Sequence, residues 1–449
     1  MNQLVKPKSE RLTGDEWKLV LLLSAINITH ILDFVIVMPL GDQLRQELQV
    51  SPQQFGFIVS AYGIAAMVAG VIASTVVDLF DRRYAMLVSL IGFTMATFYC
   101  GWAPNFSHLL IGRVLAGACG GVVASTVMAF IVDLIPPQRR GKAIGAVSSS
   151  FAFASTIGLP IGLTLAQYFQ DFHASFLAIG ILAVVVTVVS FVRLPNLRGH
   201  SAAAQQNPLR QLVVVAKQPN HLWSFAFMFA MVLGTFMIVP FIAPFLVANT
   251  GLPNGYLPVM YGVGGVFTLG MVNLVGWLTD RIGARPMFFA TAGSAILLTI
   301  IVTNLPEVGV VTSISVATIF MMVASSRIVP AQAMMLRSAD PKTRGAFTSL
   351  NSAVTHLATG TAPLFSGLVV GESNPEVPGS PITGFWIAGL MAACFGTLAL
   401  ILSCFLQEHE GDRPTNEDRE ENPAEGEASV ESLPPVELAS TAGAALPID

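Results

Sequence analysis

The chain alternates between long apolar runs and short polar stretches. Residues 19–40, 55–77 and 176–192 are almost uninterrupted in apolar character. About 20 such residues form a helix long enough to cross a ~30 Å hydrocarbon layer. A single run of this kind fits a helix buried in a large soluble core, but a dozen do not. The pattern predicts spans near 17–40, 55–77, 84–102, 108–134, 142–167, 175–193, 221–247, 257–279, 286–304, 309–336, 345–370 and 382–405. The expected fold is therefore an all-α integral membrane protein of about twelve transmembrane helices.

Composition supports this. Only 11% of residues are charged and 53% are hydrophobic, with a mean hydropathy of +0.67, whereas soluble chains carry roughly 25% charged residues. Of the 23 Lys and Arg residues, 20 fall in the termini and in alternate loops, and the opposite loops contain only Arg45. Basic residues stay in the cytoplasm during insertion, which predicts an inner-membrane protein with both termini and the 194–220 linker cytoplasmic. No small-residue cleavage site follows the first apolar run, so it reads as a retained span. The net charge of −4 is set by the tail, since residues 407–449 hold twelve of the 27 acidic residues. That composition predicts a disordered extension. Cys100, Cys119, Cys394 and Cys404 lie in apolar segments without CxxC spacing, which argues against a disulfide framework or a metal site.

The two halves echo each other. Asp78 and Arg83 follow the second span, and Asp280 and Arg285 follow the eighth, each pair offset by 202 positions. Pro137-Gln138-Arg139-Arg140-Gly141 matches Pro341-Lys342-Thr343-Arg344-Gly345 at an offset of 204. A six-helix unit recurring with the same orientation is a parallel repeat about the membrane normal. The expected division is an N-terminal tail (1–16), a first six-helix bundle (17–193), the linker (194–220), a second bundle (221–405) and the tail (406–449).

Gly276-Trp277-Leu278-Thr279-Asp280-Arg281-Ile282-Gly283-Ala284-Arg285 closely resembles the loop signature of the major facilitator superfamily. The first copy, residues 74–83, departs from it, with Ser74 and Asp81 in place of Gly and Leu79 in place of Arg. Leu110-Ile111-Gly112-Arg113-Val114-Leu115-Ala116-Gly117 resembles the fourth-span motif of drug:proton antiporters. Gly158-Leu159-Pro160-Ile161-Gly162 is similar to the antiporter motif of the fifth span. Leu32-Asp33-Phe34-Val35-Ile36-Val37 resembles the Asp-containing first-span motif of drug exporters. The resemblance covers about residues 17–405 and implies the drug and sugar-efflux branch.

An ionisable side chain at the helix centre costs about 2.5–3.5 kcal/mol on insertion scales, which marks intramembrane charges as functional candidates. His30 and Asp33 share one face of the first span, Arg113 lies in the fourth, Arg327 in the tenth and His356 in the eleventh. At about 1.5 Å per residue, Asp33 and Arg113 fall roughly 10 and 8 Å from the same membrane face and can meet. His30, Arg327 and His356 fall near the midplane, where a substrate site is expected. Asp33 is read as proton carrier with Arg113 as its partner and His30 sharing the proton; a permanent helix-tying ion pair is the alternative. Arg327, His356 and Phe236 are the substrate-contact candidates, with helix packing the competing role for the first two. The resemblance implies a gate formed by Asp78, Arg82, Arg83, Asp133, Gly276, Asp280, Arg281, Gly283 and Arg285, and Gly158, Pro160 and Gly162 read as hinge or packing positions.

No GxxxxGK[ST], HExxH or GxSxG occurs, so neither an ATP-driven pump nor a hydrolase is expected. The resemblance implies a proton-coupled antiporter exporting a drug-like compound or sugar; a proton symporter importing a nutrient and a non-transporting receptor are the alternatives. The expected partners are a small solute, protons and the bilayer, with no cofactor, metal or nucleic acid and a monomeric state.

Overall fold

The computed structural model describes residues 12–76, 81–195, 214–339, 344–374, 376–377 and 379–407. Asp78, most of the linker and nearly all of the acidic tail lie outside these described residues.

The first span (Gly14–Ile36) opens on a capping box, in which Thr13 Oγ1 accepts from Glu16 N–H and Glu16 accepts from Thr13 N–H. It stops at Ile36, four residues before the expected end. Pro39 has no N–H to continue the helical ladder, and the chain turns into a short helix, Gly41–Glu47. The following spans are Pro52–Val76, Arg82–Cys100, Phe106–Leu134, Gln138–Phe169 and His173–Arg193. The second half contains Pro219–Thr250, Leu257–Ile282, Ala284–Thr303, Val310–Arg337, Arg344–Val369 and Phe385–Phe405.

Eleven of these helices are long and apolar enough to cross a membrane. The eleventh in order, Arg344–Val369, has 26 residues and is about 39 Å long. Its Asn351, Thr355, His356 and Thr359 make it more polar than the rest. Polar groups in a spanning helix are tolerated when they face protein rather than lipid, and this helix packs between the second and seventh spans.

Two spans are broken where sequence chemistry requires it. A π-helical turn, Ala154–Gly158, interrupts the fifth span just before Pro160. Proline cannot donate to the carbonyl four residues back, and a widened turn absorbs the mismatch. The tenth span breaks at Arg327, between Val310–Ser326 and Ile328–Arg337, with Pro330 three residues on acting in the same way.

Helices up to Arg193 pack mainly among themselves, as do those from Pro219 onward except the eleventh span, which packs chiefly on the second. The halves meet through the second and eleventh spans, the fifth and eighth, and the short Gly41–Glu47 helix against the seventh. One apolar core crosses the junction. The residues that the first half gives to it, such as Met38, Leu44, Phe55, Leu163 and Phe176, come from the ends away from the basic loops. The basic end of the first half has its own core, around Val20, Met86, Val127 and Phe130. The two bundles are thus joined at the face opposite the basic loops.

Candidate functional site

Asp33 and Arg113 meet in the interior of the first bundle. Arg113 Nη1 donates to Asp33 Oδ2 at 2.8 Å, and both side chains are 0% exposed. The guanidinium also donates to the carbonyls of Asp33 (3.0 Å) and Phe34 (3.4 Å). These carbonyls belong to the last turn of the first span, which has no following turn to satisfy them, so Arg113 also caps that helix. Thr97 Oγ1 donates to Asp33 Oδ1 at 3.3 Å. The Tyr62 ring lies under the guanidinium, 4.6 Å from it, and its hydroxyl donates to the His30 carbonyl at 3.2 Å. Gly117 and Gly120 leave the space that Tyr62 fills, since a Cβ at either would collide with it.

His30 Nε2 bonds Asn27 Oδ1 at 2.7 Å, and Asn27 donates in turn to the Val147 carbonyl of the fifth span at 3.1 Å. His356 is half-buried on the eleventh span, and its carbonyl faces Gly63 of the second, 3.3 Å from where a Cβ would stand. Arg327 is 6% exposed; its Nη2 donates to the Met231 carbonyl at 3.3 Å and to Thr235 Oγ1. Phe236, the residue after Thr235, stacks on Phe34 across the junction, with ring centres 6.0 Å apart. Phe225, Phe241 and Phe245 of the same span are buried in protein. The fold thus gathers His30, His356 and Phe236 where the bundles meet, and it sets Asp33 with Arg113 inside the first bundle.

The opposite face is closed by contacts that sequence reasoning missed. Arg45, from Gly41–Glu47, forms a buried ion pair with Glu372 of a two-stranded turn (Gly371–Glu372 with Ile382–Thr383), with Nε at 3.0 Å. Its Nη2 also donates to the Ser380 carbonyl at 3.2 Å. Asp42 Oδ2 accepts from Asn254 at 3.0 Å and Gln46 at 2.9 Å, and Gln167 donates to the Asn254 carbonyl at 2.5 Å. Beneath these, Phe55 meets Phe241 edge to face at 5.4 Å. The second and eleventh spans touch backbone to backbone, and a Cβ at Gly63 would sit 2.7 Å from the Gly360 main chain. The only available signal was Arg45 itself, the single basic residue of the opposite loops.

Burial pushes the Asp42 carboxyl above its ordinary value, against the opposing effects of Asn254 and Arg45. A raised folded-state value gives stability that is complete below the ordinary carboxylate range and is lost as pH rises through the shifted value. The melting temperature of the native chain relative to Asp42→Asn is therefore expected to rise as pH is lowered from neutral; a difference independent of pH would remove Asp42 from the account.

At the basic face, Arg82 pairs with Asp133 and Arg139 with Glu16 at 2.8 Å. Arg83 Nη2 donates to the Phe191 carbonyl at 2.6 Å and Arg285 to the Leu406 carbonyl at 2.7 Å. Each of these contacts stays within one bundle. Asp81 replaces a motif glycine for a local reason, since its carboxylate caps Arg82–Cys100 by accepting from Arg83 N–H at 3.0 Å. Gly283 is required by its φ of +99° at the end of the eighth span, and Gly276 faces Val329 of the tenth. Arg281 lies over Trp277 of its own helix, 4.1 Å from the ring centre, rather than on a neighbouring span. Asp280 is exposed and meets no partner among the described residues. The bundles share no core at this face, which leaves these two groups without a cross-bundle surface to bind.

Gly158 and Gly162 admit Leu32 and Ile36 of the first span, each placed 2.8 Å from where a Cβ would stand. Glu47, Asp171 and His173 gather at the opposite face with ligand atoms within 4.8 Å. There His173 already joins Asp171 at 2.5 Å and the Ala103 carbonyl at 3.1 Å. A surface cleft of about 450 Å³ beside Asn249, Thr303 and Trp386 includes none of the titratable residues above.

The Major Facilitator Superfamily model matches residues 23–325. The chain is 26% identical over 345 residues to the uncharacterized MFS-type transporter YceJ of Bacillus subtilis (strain 168), covering 75% of this chain and 85% of that protein. It is 26% identical to the purine ribonucleoside efflux pump NepI of Escherichia coli O157:H7, over 57% of this chain and 62% of the pump. Among solved structures, a bacterial homolog of the human lysosomal transporter Spinster, inward-facing and occupied, superposes with a TM-score of 0.72 at 15% identity, covering 88% and 97% of the two chains. A D-xylose-proton symporter gives 0.70 at 14% identity, covering 88% of this chain and 99% of its own. At such identities the structural likeness is one of fold, and the family match carries the assignment: the chain belongs to the major facilitator superfamily, a family of transporters.

Proposed function

We propose that this chain is a proton-coupled antiporter of the inner membrane that exports a small organic solute by alternating access. The observation that carries the reading is the Asp33–Arg113 pair, a carboxylate and a guanidinium joined at 2.8 Å and 0% exposed. Burial disfavours the charged carboxylate while the adjacent guanidinium favours it. A small change in solvent access between conformations then decides whether Asp33 holds a proton. His30, one turn away, relays it toward the junction. Relatives named as efflux pumps support the outward direction.

The bundles 17–193 and 221–405 rock about the fifth span, whose π turn ends at Gly158 and is followed by Pro160 and Gly162. Both termini and the basic face are cytoplasmic. The conformation described here is closed outside by Arg45–Glu372 and the Gly63–Gly360 contact. Arg82, Arg83, Asp133, Asp280, Arg281 and Arg285 close the cytoplasmic face in the other state, where Asp280 regains a partner. Arg327, His356 and Phe236 contact the solute. One proton crossing ~100 mV supplies about 2.3 kcal/mol, enough for roughly fifty-fold accumulation at ~1.4 kcal/mol per tenfold.

The test is counterflow and pH-gradient-driven flux in inverted vesicles. Asp33→Asn is expected to keep counterflow and lose the response to the gradient. Unchanged gradient-driven flux in that variant would refute the coupling role.

A further inference from the structure

We propose that the solute is an organic oxyanion, a carboxylate or phosphate with an apolar body, and that Arg327 supplies the charge that holds it. This rests on the transport reading above and names the class of cargo.

Arg327 is a permanent cation, because a guanidinium does not give up its proton in proteins. It is 6% exposed, at the break in the tenth span. Its contacts are a carbonyl, Met231 O, and a hydroxyl, Thr235 Oγ1, both through Nη2. Three of its five N–H donors, on Nε and Nη1, meet no acceptor among the described residues, and no carboxylate does either. The sequence leaves none to provide: the six spans of the second bundle contain no Asp or Glu except Asp280 at the basic end. In the spans of the first bundle, Asp15, Glu16 and Asp133 lie at the basic end, and Asp33 is held by Arg113 at 2.8 Å. The other titratable groups at this depth, His30 and His356, are neutral or positive and never negative.

Ionisable groups inside membrane proteins are kept when they pair with one another or mark a transport path. Leaving a buried charge unpaired is costly. A lone buried arginine is therefore explained when the missing charge arrives with the cargo. Its planar fork suits bidentate contact with a carboxylate or phosphate. Phe236, the residue beside Thr235, is half-buried and stacks on Phe34 at the junction, which provides an apolar flank. A cationic solute would meet repulsion with nothing to offset it. Export of an anion against proton entry also moves two charges inward per cycle, so the membrane potential drives both movements.

The test uses the purified full-length chain in detergent, without any gradient, so it reads the same whether or not Asp33 couples protons. Thermal unfolding is followed with millimolar benzoate, phenyl phosphate, benzamide or benzyltrimethylammonium. At least one of the two oxyanions is expected to raise the apparent melting temperature by about 2 °C or more, and neither the amide nor the ammonium ion is expected to do so. Which oxyanion gives the larger rise separates carboxylate from phosphate cargo. Arg327→Met should lose the oxyanion shift while unfolding no lower than the native chain without solute, because it removes an unmatched charge. Arg327→Lys should retain part of the shift. The proposal is overturned by stabilisation with benzyltrimethylammonium that survives in Arg327→Met. It is equally overturned if neither oxyanion shifts the native chain, or if solute-free Arg327→Met unfolds well below it, which would make Arg327 a tie to Met231 and Thr235.

Discussion

Arg113→Met is expected to destabilise the folded protein by about 3–5 kcal/mol, the cost of leaving a buried charge without its partner. Asp33 would keep a single donor, Thr97 Oγ1 at 3.3 Å, in a site with no exposure. The carbonyls of Asp33 and Phe34 would lose the guanidinium that caps them, and Tyr62 the cation over its ring. Adding Asn at position 33 removes the stranded charge but not the other losses, so the double variant should recover only part of the deficit. Apparent melting temperatures of the native chain, Arg113→Met and the double variant measure this directly. Equal melting of the single and double variants would show that the charge is not what holds the site together. This cycle separates the structural contribution of the ion pair from its proposed part in coupling, which Asp33→Asn alone probes through flux.

Gly63→Leu is expected to abolish transport by preventing closure at the face opposite the basic loops. The Cβ alone would lie 2.7 Å from the Gly360 backbone and 3.3 Å from the His356 carbonyl. Neither neighbour is the flexible end of a side chain, so the helices must separate. Overpacking of this kind costs typically 1–3 kcal/mol, here charged against the closed conformation alone. Ser60, one turn away and 1% exposed, reports the outcome. In a background free of Cys100, Cys119, Cys394 and Cys404, Ser60→Cys should resist an impermeant maleimide when Gly63 is native and react quickly when Gly63→Leu is added. Equal labelling in the two backgrounds would mean that the contact is not the seal.

Much of the architecture was legible because hydrophobicity is carried residue by residue. The second, third, fourth and sixth spans begin and end within three residues of their expected limits. The first did not, because Pro39 ends the helix inside an apolar run that hydropathy reads as continuous. The Asp33–Arg113 meeting was also within reach, since rise per residue places both at similar depth on helices of one bundle. The surroundings of Asp280 and Arg281 in this conformation were not legible, because a motif specifies which groups can bind but not which conformation brings the bundles together.

The order of residues by itself determined the approximate number of helices, the internal repeat, the irregularity around Pro160 and the scarcity of acids in the second bundle. These follow from local backbone chemistry and from the cost of charge in hydrocarbon, neither of which needs a partner to be known. Only the tertiary structure decided that the bundles close at the face opposite the basic loops. It alone paired Arg45 with Glu372, 327 positions away, and left Arg327 with a carbonyl and a hydroxyl instead of a carboxylate. Those outcomes depend on which distant surfaces touch, and packing geometry sets that.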